Sequence, residues 1–131
     1  MNKDKLLELL EQFFSHFAYH PCLREDLLRL LARSGLEKDF FKVLIMQQSK
    51  FDSLGRAYAE QLHEFEPIDA RLYSMHISKG KQFNIRILYA YLCHTDQRVL
   101  LHAFWERDSS DYQKAIRIAY DRLRQLEEET L

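Results

Sequence analysis

The fold is decided by residues 72–105, which read LYSMHISKGKQFNIRILYAYLCHTDQRVLLHAFW. Three segments of this stretch are rich in the β-branched, aromatic and aliphatic residues that β-strands favour. They run from Leu72 to Ile77, from Gln82 to Leu92 and from Arg98 to Trp105. The first connection, residues 78–81, contains Gly80, which adopts a positive φ at little cost in a hairpin turn. Residues 94–97 form the second turn, so the sequence predicts a three-stranded antiparallel meander.

Three helices are predicted before this meander. Apolar residues recur there at three- and four-residue intervals, which is typical of amphipathic helices, in residues 6–17, 23–31 and 40–46. The first helix is expected to stop at His20 and Pro21, because the residue before a proline disfavours helical geometry. Residues 49–70 are harder to assign, and we expect only a short helix between Leu54 and Leu62, ended by Pro67.

A further helix is predicted after the meander. Ser110 and Gln113 have the spacing of a capping box, in which each side chain binds the backbone amide of the other residue. The helix then carries one apolar stripe, made of Tyr112, Ala115, Ile116, Ala119, Leu123 and Leu126. Its acidic end, residues 127–129, is expected to be solvated. The fold class is therefore α+β, with N-terminal helices, a three-stranded meander and a C-terminal helix, and with the helices on one face of the sheet.

The composition is that of a globular cytoplasmic protein. The chain has 131 residues, 47% hydrophobic and 30% charged, which suits one domain over residues 1–131. No apolar run is long enough to cross a bilayer, and no signal-peptide cleavage site follows the N-terminus. Cys22 and Cys93 have neither metal-binding nor redox spacing, and we interpret them as reduced, packed side chains.

The charge is unevenly distributed along the chain. The net charge is −1, which is less basic than most RNA-binding proteins. Residues 71–107 nevertheless hold six basic residues, Arg71, Lys79, Lys81, Arg86, Arg98 and Arg107, against Asp96 and Glu106. This modest local excess of basic residues falls within the predicted meander.

The three strand segments resemble the core of the RelE/HigB toxin superfamily, including its phage-derived HigB-like branch. Residues 72–77 are similar to the family's "LYELR" strand, residues 83–89 to its "FRILY" strand, and residues 99–104 to its "LLHAF" strand. The resemblance covers about residues 70–126 and places Arg86 at the arginine of the middle strand. The first 60 residues match less well and are interpreted as a helical N-terminal extension.

The resemblance implies a toxin of a type II toxin–antitoxin system, with a RelE-like fold and a concave basic face for RNA. Such toxins cleave mRNA, commonly on the ribosome, without a metal or other cofactor. The implied partners are mRNA and a small antitoxin protein, often one with a helix-turn-helix domain. No membrane partner is expected.

Metal-free RNA cleavage needs a base for the 2′-hydroxyl, a cation beside the phosphate and an acid for the 5′-oxygen. Arg86 fits the cation, because its planar guanidinium binds two phosphate oxygens and stays charged. The alternative is a structural arginine paired with a carboxylate. His76 stands where the family usually has an arginine, and it titrates near neutrality. It is a candidate acid or base, or simply a residue on the polar face of a strand.

The resemblance also points to residues outside the central strands. In the RelE branch an arginine and a base-stacking tyrosine follow the third strand, and Arg107 and Tyr112 lie there to within one residue. Tyr112 is equally consistent with core packing. Lys79, Lys81 and Arg71 are candidate RNA contacts, although lysines in a turn can serve solubility alone. His102 matches a family histidine, but strand alternation predicts that it shares an apolar face with Leu100 and Phe104.

A second function fits the same sequence. Glu106 and Asp108 stand where the family turn is basic, which favours a catalytically degenerate RelE-fold protein-interaction module. The N-terminal helices offer surplus apolar surface for a partner or a homodimer interface, at Phe13, Phe14, Phe17, Phe40 and Phe41. A continuous basic surface around Arg86 would favour RNA, and an acidic interruption would favour protein binding. No metal site is expected, because only His16 and His20 have a ligand-like spacing and Pro21 follows them.

Overall fold

The computed structural model describes residues 1–129. Its elements are α1 (Lys3–Phe14), β1 (Ala18–Tyr19), α2 (Cys22–Leu31), α3 (Glu37–Leu54), α4 (Arg56–Ala59), β2 (Phe65–Pro67), β3 (Tyr73–Lys79), β4 (Phe83–Tyr91), β5 (Arg98–Trp105) and α5 (Ser109–Glu129). The strands form one sheet in the order β1-β5-β4-β3-β2. All neighbouring strands are antiparallel except β1 and β5, which are parallel. The α+β class is thus as predicted.

The predicted meander is present as β3, β4 and β5, and Gly80 has a φ of +52° in the first turn. The sheet is nevertheless larger than expected, because β1 and β2 extend it at its two edges. These strands have two and three residues, too few to show the alternation by which strands are recognised in a sequence. Strand β1 replaces the end of the first predicted helix, and Pro67 lies on an edge strand, where its missing N–H is tolerated.

Helices cover both faces of the sheet, so the expectation of helices on one face was wrong. Helices α1, α2 and α3 lie on the face that holds Met75, Ile77, Ile85 and Ile87. Helix α5 lies on the other face, against a second apolar cluster made of Leu72, Leu88, Ala90, Val99, Leu101, Ala115, Ala119 and Leu123. Both faces are apolar because Leu88 and Ala90 alternate with residues of the first face. The apolar stripe predicted for α5 supplies the helical residues of this cluster and packs on its sheet residues.

Both ends of α5 differ from the prediction. Asp108, rather than Ser110, caps the helix, since its Oδ1 accepts the N–H of Ser110 at 2.9 Å. At the other end Glu127 is anchored instead of solvated, because Nη1 and Nη2 of Arg71 donate to its carboxylate at 2.9 and 2.7 Å. These hydrogen bonds from Arg71 lower the pKa of Glu127 to about 2. Arg71 therefore clamps α5 to the start of β3.

Cys22 and Cys93 are free, but both are exposed and not packed as predicted, because they lie at the start of α2 and just beyond β4. Within residues 1–129 no helix combines the length and the apolar character needed to span a bilayer.

Candidate functional site

A group of polar side chains interrupts the apolar surface on the α5 side of the sheet. We call it the polar cluster, and its members are His63, Glu66, Ser74, His76, Arg86, Glu106 and Tyr112. His76 on β3 lies directly opposite Arg86 on β4, and Ser74 lies opposite Glu66 on β2. Facing residues of antiparallel strands project from the same face, so the register brings these four side chains together.

Arg86 is held by a carboxylate of its own chain. Its Nε donates to Oε2 of Glu106 at 3.0 Å, and its Nη2 lies 3.0 Å from the same oxygen. The third nitrogen, Nη1, is buried and has no hydrogen-bond partner among residues 1–129. The Arg86 side chain is 11% exposed and that of Glu106 is 25% exposed. The guanidinium therefore keeps one unused donor nitrogen, and that nitrogen is buried.

His76 is oriented by a second carboxylate. Its Nε2 lies 3.0 Å from Oε1 of Glu66, within hydrogen-bond distance. The main chain of His76 is also fixed, because Nε2 of Gln47 donates to its carbonyl oxygen at 2.8 Å. Burial lowers the pKa of His76, and the positive charge of Arg86 lowers it further. The imidazole is therefore neutral at pH 7, with one nitrogen able to accept a proton.

His63 and Tyr112 complete the polar cluster. Nδ1 of His63 lies 3.4 Å from Oε2 of Glu66, and its ring meets that of His76 edge-on with centroids 4.6 Å apart. Tyr112, in the first turns of α5, places its hydroxyl 2.9 Å from Oγ of Ser74. The pKa of Tyr112 is raised by burial, so its hydroxyl stays protonated and remains a donor. The sequence did not single out His63 or Glu66, because neither lies in a recognisable motif.

Of the seven site residues predicted from the sequence, Arg86, His76 and Tyr112 come together. The other four lie elsewhere, and their roles remain predictions.

Those four residues are placed as follows. Lys79 pairs with Asp39 of α3 at 3.1 Å, on the opposite side of the sheet from Arg86. Arg71 pairs with Glu127 near the other end of β3. Arg107 lies 5.3 Å from the ring centroid of Trp105, and Lys81 is exposed in the hairpin turn.

A second charged centre lies beside His102 and Ala103 of β5, just beyond the two residues of β5 that pair with the short strand β1. Oδ2 of Asp26, on α2, lies 2.8 Å from Nδ1 of His102 and accepts the N–H of Ala103 at 3.2 Å. Arg122, on α5, donates to both carboxylate oxygens at 2.5 and 3.2 Å. Burial acts to raise the pKa of Asp26, but the hydrogen bonds from His102 and Arg122 outweigh it and lower the pKa to about 2. This network joins α2, β5 and α5.

The predicted surroundings of His102 were right for Phe104, whose ring stacks on that of His102 with centroids 6.0 Å apart, but wrong for Leu100, because β5 contains an irregularity. Leu88 pairs with His102, whereas the next residue, Tyr89, pairs with Leu100. The extra residue reverses the alternation, as β-bulges do. Leu100 therefore packs in the cluster under α1 to α3, while His102 points towards Asp26. Its partner is 76 residues away in the sequence, and no local pattern could identify it.

Comparisons with known proteins add no relative. No protein-family model matches the chain, and neither a curated protein nor a solved structure gives a significant match. The class established by the fold is an α+β protein with helices on both faces of a five-stranded mixed sheet.

Proposed function

We propose that this chain is the toxin-like component of a type II toxin–antitoxin system and cleaves mRNA without a metal, on the ribosome or free. The observation that supports this proposal best is the polar cluster itself. A neutral histidine held by a carboxylate lies directly opposite an arginine, with a tyrosine hydroxyl on the same face. These are the groups that phosphodiester cleavage by a 2′-hydroxyl requires.

Each residue has a distinct role in this proposal. His76 accepts the proton of the 2′-hydroxyl, and Glu66 orients the ring and stabilises the imidazolium that forms. Arg86 binds the phosphate with its unpaired Nη1 and with the nitrogens that Glu106 occupies in the free protein. The phosphate must displace the carboxylate of Glu106, which costs binding energy and slows the reaction. Tyr112 donates its hydroxyl proton to the 5′-oxygen as the bond from that oxygen to phosphorus breaks, which leaves a 2′,3′-cyclic phosphate and a 5′-hydroxyl, and the proton taken up by His76 then returns to the tyrosine through water.

A non-catalytic protein-interaction module is the second candidate, and two observations favour it. Arg86 and His76 each have a carboxylate partner already, so the expected basic surface is interrupted by Glu106 and Glu66. In addition, α3 exposes Ile45 and Met46, with 53% and 55% of their surface accessible. Apolar side chains of this size on an open helix face are typical of binding surfaces for a partner such as an antitoxin.

The functional test is induction of the wild-type chain beside His76→Gln, which keeps a polar side chain but cannot serve as a base. We expect the wild type to arrest growth and to produce new transcript ends, mapped by sequencing of 5′ ends. His76→Gln is expected to slow cleavage by about 10²-fold or more, as the loss of a general base does. An equal amount of soluble, folded protein must be shown for both chains.

The control for this test is His94→Gln, which changes an exposed histidine in the turn between β4 and β5. It should arrest growth like the wild type. If the wild type neither slows growth nor cuts RNA at high expression, the nuclease proposal fails and the interaction module becomes the leading interpretation.

A further inference from the structure

Three side chains of the polar cluster lie close together, and one of them, His63, has no role in the proposed reaction. They are His63 in the segment before β2, Glu66 on β2 and His76 on β3. One ligand atom from each lies within 4.8 Å of the others. The β2–β3 pairing produces this arrangement, because it places His76 beside the short strand that carries Glu66. No local pattern in the sequence marks this group, because His63 and His76 are 13 positions apart and have no metal-binding spacing.

The distances are close to those of a tetrahedral metal site. Zinc binds histidine nitrogen and carboxylate oxygen at about 2.0–2.2 Å, so two ligand atoms of one ion are roughly 3.3 Å apart. Nε2 of His76 lies 3.0 Å from Oε1 of Glu66, and Nδ1 of His63 lies 3.4 Å from Oε2, the other oxygen of the same carboxylate. An ion between them is bound by both carboxylate oxygens, or His63 turns towards the oxygen that His76 faces, and in either case the two histidines must approach each other. The side chain of His63 is 77% exposed, so it can rotate at little cost, whereas His76 is 6% exposed and fixed.

The charges of the polar cluster also favour a cation. Glu66 and Glu106 contribute two carboxylates and Arg86 contributes one guanidinium, so the acidic side chains of the polar cluster outnumber the basic one. Arg86 would repel a metal ion, but its guanidinium is turned towards Glu106, whose Oε2 is 3.0 Å from both Nε and Nη2. A metal cation at His63 and His76 would therefore add positive charge to a cluster with more carboxylates than cationic side chains.

We infer that His63, Glu66 and His76 form a binding site for a divalent transition metal of the zinc type, with the fourth coordination position open to water. Imidazole and carboxylate ligands select zinc and its neighbours rather than magnesium or calcium, which prefer oxygen ligands alone. Binding withdraws both His76 and Glu66 from proton transfer. The metal would thus inhibit RNA cleavage, a consequence that rests on the proposed function, whereas binding itself does not.

The test is calorimetric titration of the untagged, chelator-treated protein with zinc chloride at pH 7. We expect one site per chain, and we expect His63→Ala and Glu66→Gln each to weaken binding at least about tenfold, since each removes a ligand. His63→Ala is the more informative variant, because this side chain is exposed and its loss leaves the fold intact. Magnesium chloride is expected to give no binding heat under the same conditions.

Two controls separate this site from other zinc ligands of the chain. His94→Ala removes an exposed histidine outside the polar cluster and should bind zinc like the wild type. Cys22→Ser with Cys93→Ser removes both exposed thiols, which are also zinc ligands, and the one-site binding should persist. Absence of zinc binding at 1:1 stoichiometry, or binding that both His63→Ala and Glu66→Gln leave unchanged, would overturn the inference. Because the readout is binding, either result stands whether or not the chain cleaves RNA.

Discussion

Arg86→Ala is expected to reduce RNA cleavage by about 10³-fold and to abolish growth arrest. The proposed reaction develops negative charge on the phosphate, and Arg86 is the only arginine in the polar cluster as defined. Loss of a preorganised donor at such a position typically costs 10²–10³-fold or more in rate. The measurement is single-turnover cleavage of a short RNA by purified protein, with ribosomes added in a parallel reaction.

Two further variants show whether the effect comes from the guanidinium. Arg86→Lys keeps the charge but loses the planar fork, so we expect a rate between those of the wild type and Arg86→Ala. Arg117→Ala removes an exposed arginine from α5 and should cleave like the wild type. Thermal melting must show that all three variants are folded. Full cleavage by a folded Arg86→Ala protein would remove Arg86 from the mechanism.

The second large effect is on stability. Asp26→Ala is expected to lower the free energy of unfolding by about 3–5 kcal/mol, the usual cost of breaking a buried ion pair from one side. The Asp26 side chain is 1% exposed, and its removal leaves Arg122 without its anion and the N–H of Ala103 without its acceptor. Urea denaturation followed by circular dichroism measures the loss.

Asp121→Ala is the matched control, because it breaks a salt bridge in which both side chains are more than 60% exposed. Its effect on the free energy of unfolding is expected to stay within about 0.5 kcal/mol. A similar loss in both variants would contradict a special role for Asp26.

Acid should weaken the same network. The pKa of Asp26 falls from its usual 3.8 to about 2 on folding, so the charged carboxylate stabilises the folded state above pH 3.8. This contribution, about 2 kcal/mol, is lost as the pH falls from there towards 2. In Asp26→Ala the acid-induced loss of stability between pH 4 and 2 should be smaller by that amount, which unfolding curves at a series of pH values will show.

The sequence by itself determined the central meander, its turns and most of the helices. Alternation and turn residues over residues 72–105 define β3 to β5, and periodicity defines the apolar faces of α1, α2 and α5. These patterns arise from contacts within a few residues, so they are visible in one dimension. Strand alternation also predicted that Arg86 lies on the face of the sheet opposite to Ile85 and Ile87, and the structure confirms this.

Only the tertiary structure decided the sheet edges, the second helical layer and the partners of the charged residues. Strands of two and three residues have no periodic pattern, and one extra residue in β5 reverses which face each side chain occupies. Glu66, Glu106 and Asp26 reach their partners through strand pairing and helix packing. The energy of a buried charge depends on neighbours that are distant in sequence. For that reason the sequence named Arg86, His76 and the acidic turn at Glu106, but it could not name Glu66 or Asp26 as partners of the histidines.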